Sequence, residues 1–321
     1  MSDYEVFIQQ LITGLSNGMI IALIALGYTM VYGIVELINF AHGDLFMLGA
    51  FLGLTLVGAL GLDASAVPSG GFAWGLLPIF LAVPIFCGAV NWCVDRLAYR
   101  PLRNAPKLAP LVSAIGVSFI FLNIGLFWGS LHMKVFADGV APAAPKDFPA
   151  LVSPDNLLGM DNPVQFTMRD VMVLSVTLPL MVALTLLVKY TRVGRAMRAV
   201  AQNPIAARLM GVNVDQIIGF TFIVGGALGG FASVVYALYN GTISFQMGFR
   251  VGIDAFTAAV LGGIGNLPGA VLGGLLIGLV RAMSDQYIAT QWTNVTVFSI
   301  LILVLVFRPS GLLGARVKEK V

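Results

Sequence analysis

Side chains able to do chemistry are scarce in this chain. Its histidines are His42 and His132, and its cysteines are Cys87 and Cys93. His42 stands with Glu36 and Asp44 around the run Ile38-Asn39-Phe40-Ala41-His42-Gly43-Asp44. An imidazole beside two carboxylates is able to relay protons or hold a cation; the alternative is a hydrated cluster at a membrane surface. The spacing of Cys87 and Cys93 suits neither a metal nor a redox pair, so both read as small apolar packers. No His-Glu-x-x-His zinc motif occurs, and no Gly-Lys pair, so a phosphate-cradling P-loop is ruled out. Catalytic, cofactor-binding and metal-binding residues are therefore not expected here, and nucleotide chemistry has to belong to another chain. Arg250 with Asp254, and Arg281 with Asp285, are spaced one helical turn apart at the ends of apolar runs and read as surface pairs that set helix depth.

The elements that position these residues follow from charge segregation. Of 321 residues 58% are hydrophobic and 10% charged, against roughly a quarter charged in soluble domains. Charge-free runs cover 6–35, 45–62, 64–94, 108–133, 171–188, 216–249, 255–280 and 286–307. Each reaches the ~18 apolar residues that bridge a hydrocarbon core as a helix. The expected architecture is all-α: one polytopic membrane domain over 1–321, with about eight membrane-embedded helical segments, some broken or re-entrant. The first run is expected to stay as a membrane helix, because MSDYEVFIQQ lacks the positive start of a cleaved signal. A net charge of +3 sits in short loops, which excludes nucleic acid as a partner.

Lys and Arg concentrate on the cytoplasmic side of short loops. That places 95–107, the loop at about 189–215 and the tail from 308 inside, and 61–75 and 239–252 outside. The segment at about 131–169, with Pro142, Pro145, Pro149, Pro154 and Pro163, reads as an external irregular loop. A chain that is outside near Arg250 and inside at its tail crosses an odd number of times. Since 286–307 supplies one crossing, 251–283 has to turn back on itself. The glycine-rich Gly262-Gly263-Ile264-Gly265-Asn266-Leu267-Pro268-Gly269 marks where. Asn39, His42 and Gly43 at the first interruption, and Gly262, Gly265, Asn266 and Gly269 at the second, are the candidate translocation path. Broken helices free backbone groups that lipid cannot satisfy but a polar cavity can. Tight helix packing is the alternative for the glycines.

The loop 189–215 holds more order than a stop-transfer cluster needs. Asn203 suits a helix N-cap, Pro204 the first helical position and Gly211 the left-handed closing position. Between them Ile205, Ala206, Ala207, Arg208, Leu209 and Met210 make a short helix. Its pairs Ile205/Leu209 and Ala206/Met210 present an apolar face that wants a partner, either a protein or an anionic lipid surface.

GRAMRAVAQNPIAARLMGVNV, together with LGYTMVYGIVELINFAHGDLFMLGA and AAVLGGIGNLPGAVLGGLLIGLV, resembles the LivH-type permease subunit of bacterial branched-chain amino-acid ABC importers over nearly the whole chain. The resemblance implies a type II importer-like permease in the cytoplasmic membrane and four kinds of partner. These are a second related permease, two cytoplasmic ABC ATPases that bind ATP-Mg, an extracytoplasmic solute-binding protein and membrane lipid. It also implies that 203–211 is the ATPase-coupling helix. Ile205-Ala206-Ala207 and Gly211 match the Glu-Ala-Ala-x-x-x-Gly motif of such helices except at the glutamate. An ion-coupled carrier using Glu36, His42 and Asp44, and a relative that moves urea or other amino acids, are the competing readings. A membrane enzyme lacks reactive groups within reach of one another.

Overall fold

The computed structural model describes residues 2–35, 39–63, 67, 71, 73–103, 105–106, 108–159 and 162–314. Glu36, Lys107 and the basic residues of the tail beyond Arg308 lie outside the described residues. The helices are α1 (Asp3–Val35), α2 (Ala41–Ala59), α3 (Leu76–Val94), α4 (Leu108–Trp128), α5 (Met168–Tyr190), α6 (Arg192–Gln202), α7 (Pro204–Leu209), α8 (Val214–Asn240), α9 (Met247–Gly262), α10 (Leu267–Ser284) and α11 (Thr293–Phe307). Seven stretches are long and apolar enough to cross a membrane. The last of them, Leu267–Phe307, holds α10 and α11. Arg281 reaches Asn294 and Ser284 reaches Thr296 by hydrogen bonds, so the chain doubles back between these two helices.

Most of these helices are apolar all round, because what is not packed on protein faces hydrocarbon. Small residues decide which helices are central, since lipid removes the hydrophobic drive for helix association and leaves close packing to do it. In α1 every residue from Gly18 to Val31 is buried. Gly14 meets Leu279 of α10, and Gly18 meets Gly278. Gly226 and Gly230 of α8 lie on the backbone of α3 at Cys87 and Pro84. By contrast α4 buries Pro110, Ala114, Phe121 and Gly125, and α11 buries Thr293 and Val297. They form the rim.

The loops sort to two ends. At one, Arg103 pairs with both Asp95 and Asp215, and Arg100 with Asp215 at 3.0 Å, which ties the 95–103 turn to the start of α8. This is the basic end. At the other, Lys146–Asp147 pairs antiparallel with Thr242–Ile243, and Ala73 N–H donates to Leu151 O at 3.0 Å. The 131–169 segment is folded there around Lys146, 5% exposed, whose ammonium donates to the carbonyls of Phe136, Val140 and Ala141 at 3.1–3.3 Å. The first helix starts at this same end, where Ser16 donates to Asp170 and Gln9 accepts from Gln165.

The turn within 251–283 falls at Gly263–Asn266, where Gly263 and Gly265 adopt φ of +104° and +88°. Asn266 caps α10 by accepting from Gly269 N–H at 3.1 Å, and donates to Leu313 O at 2.6 Å. The tail pairs back onto α9 through Leu312 N–H to Leu261 O and Leu313 N–H to Gly262 O. That holds the turn at the basic end. Helix α9 starts deep in the bundle: Gly248 packs on Gly43 and Asp44, and Asp44 accepts from Ser118, roughly 15 Å inside the end of α4 at 1.5 Å per residue.

Exposed Asp155 and Arg208 mark the two ends. In a cysteine-free background, Asp155→Cys is expected to react with an impermeant thiol reagent added outside intact cells, and Arg208→Cys only after the membrane is opened. The reverse pattern would invert the assignment of sides.

Candidate functional site

Three layers lie along α1 and α9. At the end opposite the basic loops is a cavity of about 550 Å³. Asn17, Ile20 and Ile21 of α1 line it, with Met247, Arg250 and Asp254 of α9, Arg281 of α10, Asp285, and Asn294 and Phe298 of α11. Its wall carries both signs of charge. Arg281 donates to Asp254 at 2.7 Å and to Asn294 at 2.8 Å, while its Nε is buried without a partner. Asp285 accepts from Thr293. The pairs expected within one helix, Arg250 with Asp254 and Arg281 with Asp285, do not form ion pairs among the described residues; Arg281 bridges α10 to α9 instead. One-turn spacing makes a pair possible, but here the neighbouring helix offers a carboxylate in a less exposed position.

Below the cavity three rings pack together. Tyr28 and Phe256 meet edge to face with centroids 6.3 Å apart, and Phe40 lies 6.1 Å from Phe256. Beyond them Tyr32, Asn39, Ala259 and Ile264 enclose a void of only about 10 Å³. The structure therefore brings the two interruptions together, with Gly265 against Gly33.

The expected path residues have distinct surroundings. Asn39 borders the small void and anchors the first break: it accepts from the Tyr99 hydroxyl at 2.9 Å and donates to Asn91, which donates to Phe222 O at 2.7 Å. His42 lies between Gly27 and Gly229 with Tyr28 edge-on at 4.8 Å. Asp44 points to Ser118 and Gly248. Glu36, the third member of that cluster, lies outside the described residues. Gly43 packs on Gly248 and Gly252, and a Cβ at Gly262 or Gly269 would overlap the other's carbonyl. These glycines close backbone on backbone. Gly265 is required by its positive φ, so a bulky residue there tests the turn and not passage.

At the basic end Asn203 Oδ1 accepts from Ile205 and Ala206 N–H, both at 3.0 Å, and Gly211 takes φ +82°. Pro204 opens α7. Ile205, Leu209 and Met210 are 71%, 83% and 83% exposed, while Ala207 is 4% exposed. Ala207 faces its own chain and is not part of the free surface, contrary to its expected place in a docking contact. Ala206 and Arg208 are exposed beside the apolar trio.

A family described as branched-chain amino acid transport system / permease component matches residues 10–306. The chain is 39% identical to the high-affinity branched-chain amino acid transport system permease protein LivH of Salmonella typhimurium, with 98% of each chain covered. It is 41% identical to the corresponding protein BraD of Pseudomonas aeruginosa over all of both chains. A probable branched-chain amino acid transport permease protein LivH of Methanocaldococcus jannaschii is 27% identical over 94% of this chain and 90% of that one.

The Asp254–Arg281 pair, with side chains 13% and 28% exposed, sits between a surface pair worth ~0–1 kcal/mol and a buried pair whose half-removal costs ~3–5 kcal/mol. Asp254→Asn or Arg281→Gln is expected to lower stability by about 2 kcal/mol each, and the double variant by less than the sum. Thermal unfolding of the four proteins in one detergent measures this; strict additivity would mean that the pair is not coupled.

Proposed function

The chain belongs to the branched-chain amino acid transport permease family, and we propose on that premise that it is one of two membrane subunits of an ATP-driven, binding-protein-dependent importer for leucine, isoleucine and valine in the bacterial cytoplasmic membrane. In this reading the basic end is cytoplasmic. The opposite end, with the folded 131–169 segment, receives the solute-binding protein, and a second related permease completes the membrane unit. ATP-Mg is bound and hydrolysed by two partner ATPases. This chain is a transport component and not an enzyme.

The observation that carries the proposal is α7: a capped helix at the basic end whose Ile205, Leu209 and Met210 are left uncovered by the rest of the chain. Apolar side chains so exposed, next to Arg208, suit a groove on a cytoplasmic ATPase. At the other end the charged cavity supports an amino-acid cargo. A zwitterion entering it meets guanidinium groups for its carboxylate and carboxylates for its ammonium, with Ile20, Ile21 and Met247 for an aliphatic side chain. A neutral amide such as urea would use little of that wall. Tyr28, Phe256 and Phe40 then close the route until ATP-driven motion parts them.

Leu209→Asp and Met210→Asp are expected to leave the purified chain as stable as wild type while ATPase co-purification and leucine uptake fall at least tenfold, since one charge in an apolar contact costs more than the ~1.4 kcal/mol that tenfold represents. Unchanged association and uptake would leave α7 a lipid-surface helix. Uptake is expected to stop on ATP depletion and to survive an uncoupler that spares ATP; the opposite response identifies an ion-coupled carrier. Binding of labelled leucine, isoleucine, valine and urea to the cognate binding protein settles the cargo.

A further inference from the structure

Helices α3 and α8 leave between them a groove of about 490 Å³ with an almost wholly hydrocarbon lining. Its floor is made shallow by small residues, Gly88 and Ala89 on α3 and Ala227 on α8, and its rim is open to the side, with Leu81 and Ile85 being 66% and 63% exposed. From Leu81 to Trp92 an α-helix rises about 16 Å, close to half of a ~30 Å hydrocarbon core. The groove thus has about the length of one leaflet, and its Trp92 end lies toward the basic end.

At its Trp92 end the groove runs into a second cavity of about 350 Å³; Trp92 and Ile223 line both. Arg96, Arg100, Asp95 and Asp215 line this second space. Two arginines and two aspartates line it, but among the described residues Arg103 beside it also draws on both carboxylates. Arg103 is taken up by Asp95 and Asp215, and Arg100 by Asp215. Arg96 lies over the Trp92 ring at 5.3 Å and has no carboxylate partner among the described residues. The cluster of Arg96, Arg100 and Arg103 with Asp95 and Asp215 thus holds three guanidinium groups and two carboxylates, and Arg96 sits in the helical turn Asp95–Tyr99 that continues α3 at the basic end.

We propose that this continuous groove and pocket bind one anionic phospholipid from the leaflet at the basic end. An acyl chain lies along Gly88, Ala89 and Ala227, and the phosphate sits against Arg96 and Arg100. Attraction of anionic lipid to basic residues at a cytoplasmic interface supplies the selectivity, and the apolar slot supplies a place that a free counter-ion would not use. The lipid would bridge α3 and α8 beside Asn91, the residue through which the first helix break is tied to Phe222 O. A transmembrane helix of another subunit would fit the apolar slot but bring nothing to neutralise Arg96, and for that reason lipid is the occupant chosen.

Native mass spectrometry of the full chain in mild detergent, titrated with dioleoylphosphatidylglycerol against dioleoylphosphatidylcholine, tests this. Wild type is expected to retain one phosphatidylglycerol with about fivefold preference over phosphatidylcholine, the size expected of one uncompensated basic group near the surface. Arg96→Gln should abolish the preference. Ala89→Phe, at an exposed position, should block retention of the lipid without disturbing the core, and Arg195→Gln, at the same end but away from the groove, should change nothing. Equal retention of both lipids by wild type overturns the proposal, as does a preference that survives Arg96→Gln and Ala89→Phe. It is also overturned if Ala89→Phe leaves lipid retention intact and instead releases a co-purified second permease, which would make the groove a subunit interface.

Discussion

Inside a bilayer an unpaired backbone N–H or C=O costs several kcal/mol, and two interruptions of this chain meet at the inner layer, one near Asn39 and one at the Gly263–Asn266 turn of the basic end. Everything near the inner layer follows from how those interruptions are satisfied. At the first, no side chain caps α2. The break is held by the Asn39 amide, wedged between Tyr99 and Asn91 and, through Asn91, fixed to α8. At the second, Asn266 caps α10 and the tail adds two backbone hydrogen bonds to the last residues of α9. The two asparagines look alike in sequence and do different work: one is a cap, the other a strut across three elements.

Close packing then fixes the helices around the breaks. Where Gly18 meets Gly278, Gly43 meets Gly248 and Gly262 meets Gly269, backbones approach too closely for any larger residue. Such contacts tolerate little sliding. The core of α1, α2, α8, α9 and α10 is thus a set of helices held backbone to backbone, and larger side chains fill in where the separation widens. The contact of Tyr28 on α1 with Phe256 on α9 is one such place.

Much of this was legible in the sequence because it depends on local signals. Charge-free runs have the length of a bilayer, most loop arginines sort to one end, and the caps Asn203 and Gly211 announce a short helix whatever surrounds it. The reversal near Gly263 followed from parity and glycine density alone. What stayed hidden was the direction in which each helix faces. A helix with apolar residues all round does not announce its buried side, and in short α7 too periodicity does not tell Ala207, which is buried, from Leu209, which is not. It does not show that Arg281 turns to Asp254 in place of Asp285. The charged cavity had a trace in the sequence, four ionisable residues at the edges of apolar runs, but spacing suggested pairs within helices. Lys146 gave no sign at all: a lysine in a proline-rich loop is ordinarily solvated, and only the folded loop reveals three carbonyls converging on its ammonium.

The same packing gives α7 a mechanical connection to Tyr28. Helix α7 is too short to bury much, yet it follows α6 directly, and α6 lays Gly194, Met197 and Val200 inward against α1, α5 and α8. Asn213, next after the α7 turn, caps α8 by accepting from Gln216 N–H. A push on α7 therefore reaches the inner ends of α1 and α8 through capped, closely packed joints. Tyr28 belongs to α1, and Gly225 and Gly229 of α8 lie against Gly27 and His42 on either side of it. A small rotation of that pair would shift Tyr28 against Phe256 while the glycine contacts with α10 hold the rest of α1 in place. The exposed α7 and the Tyr28 ring at the floor of the charged cavity are thus joined by one continuous set of packed helices.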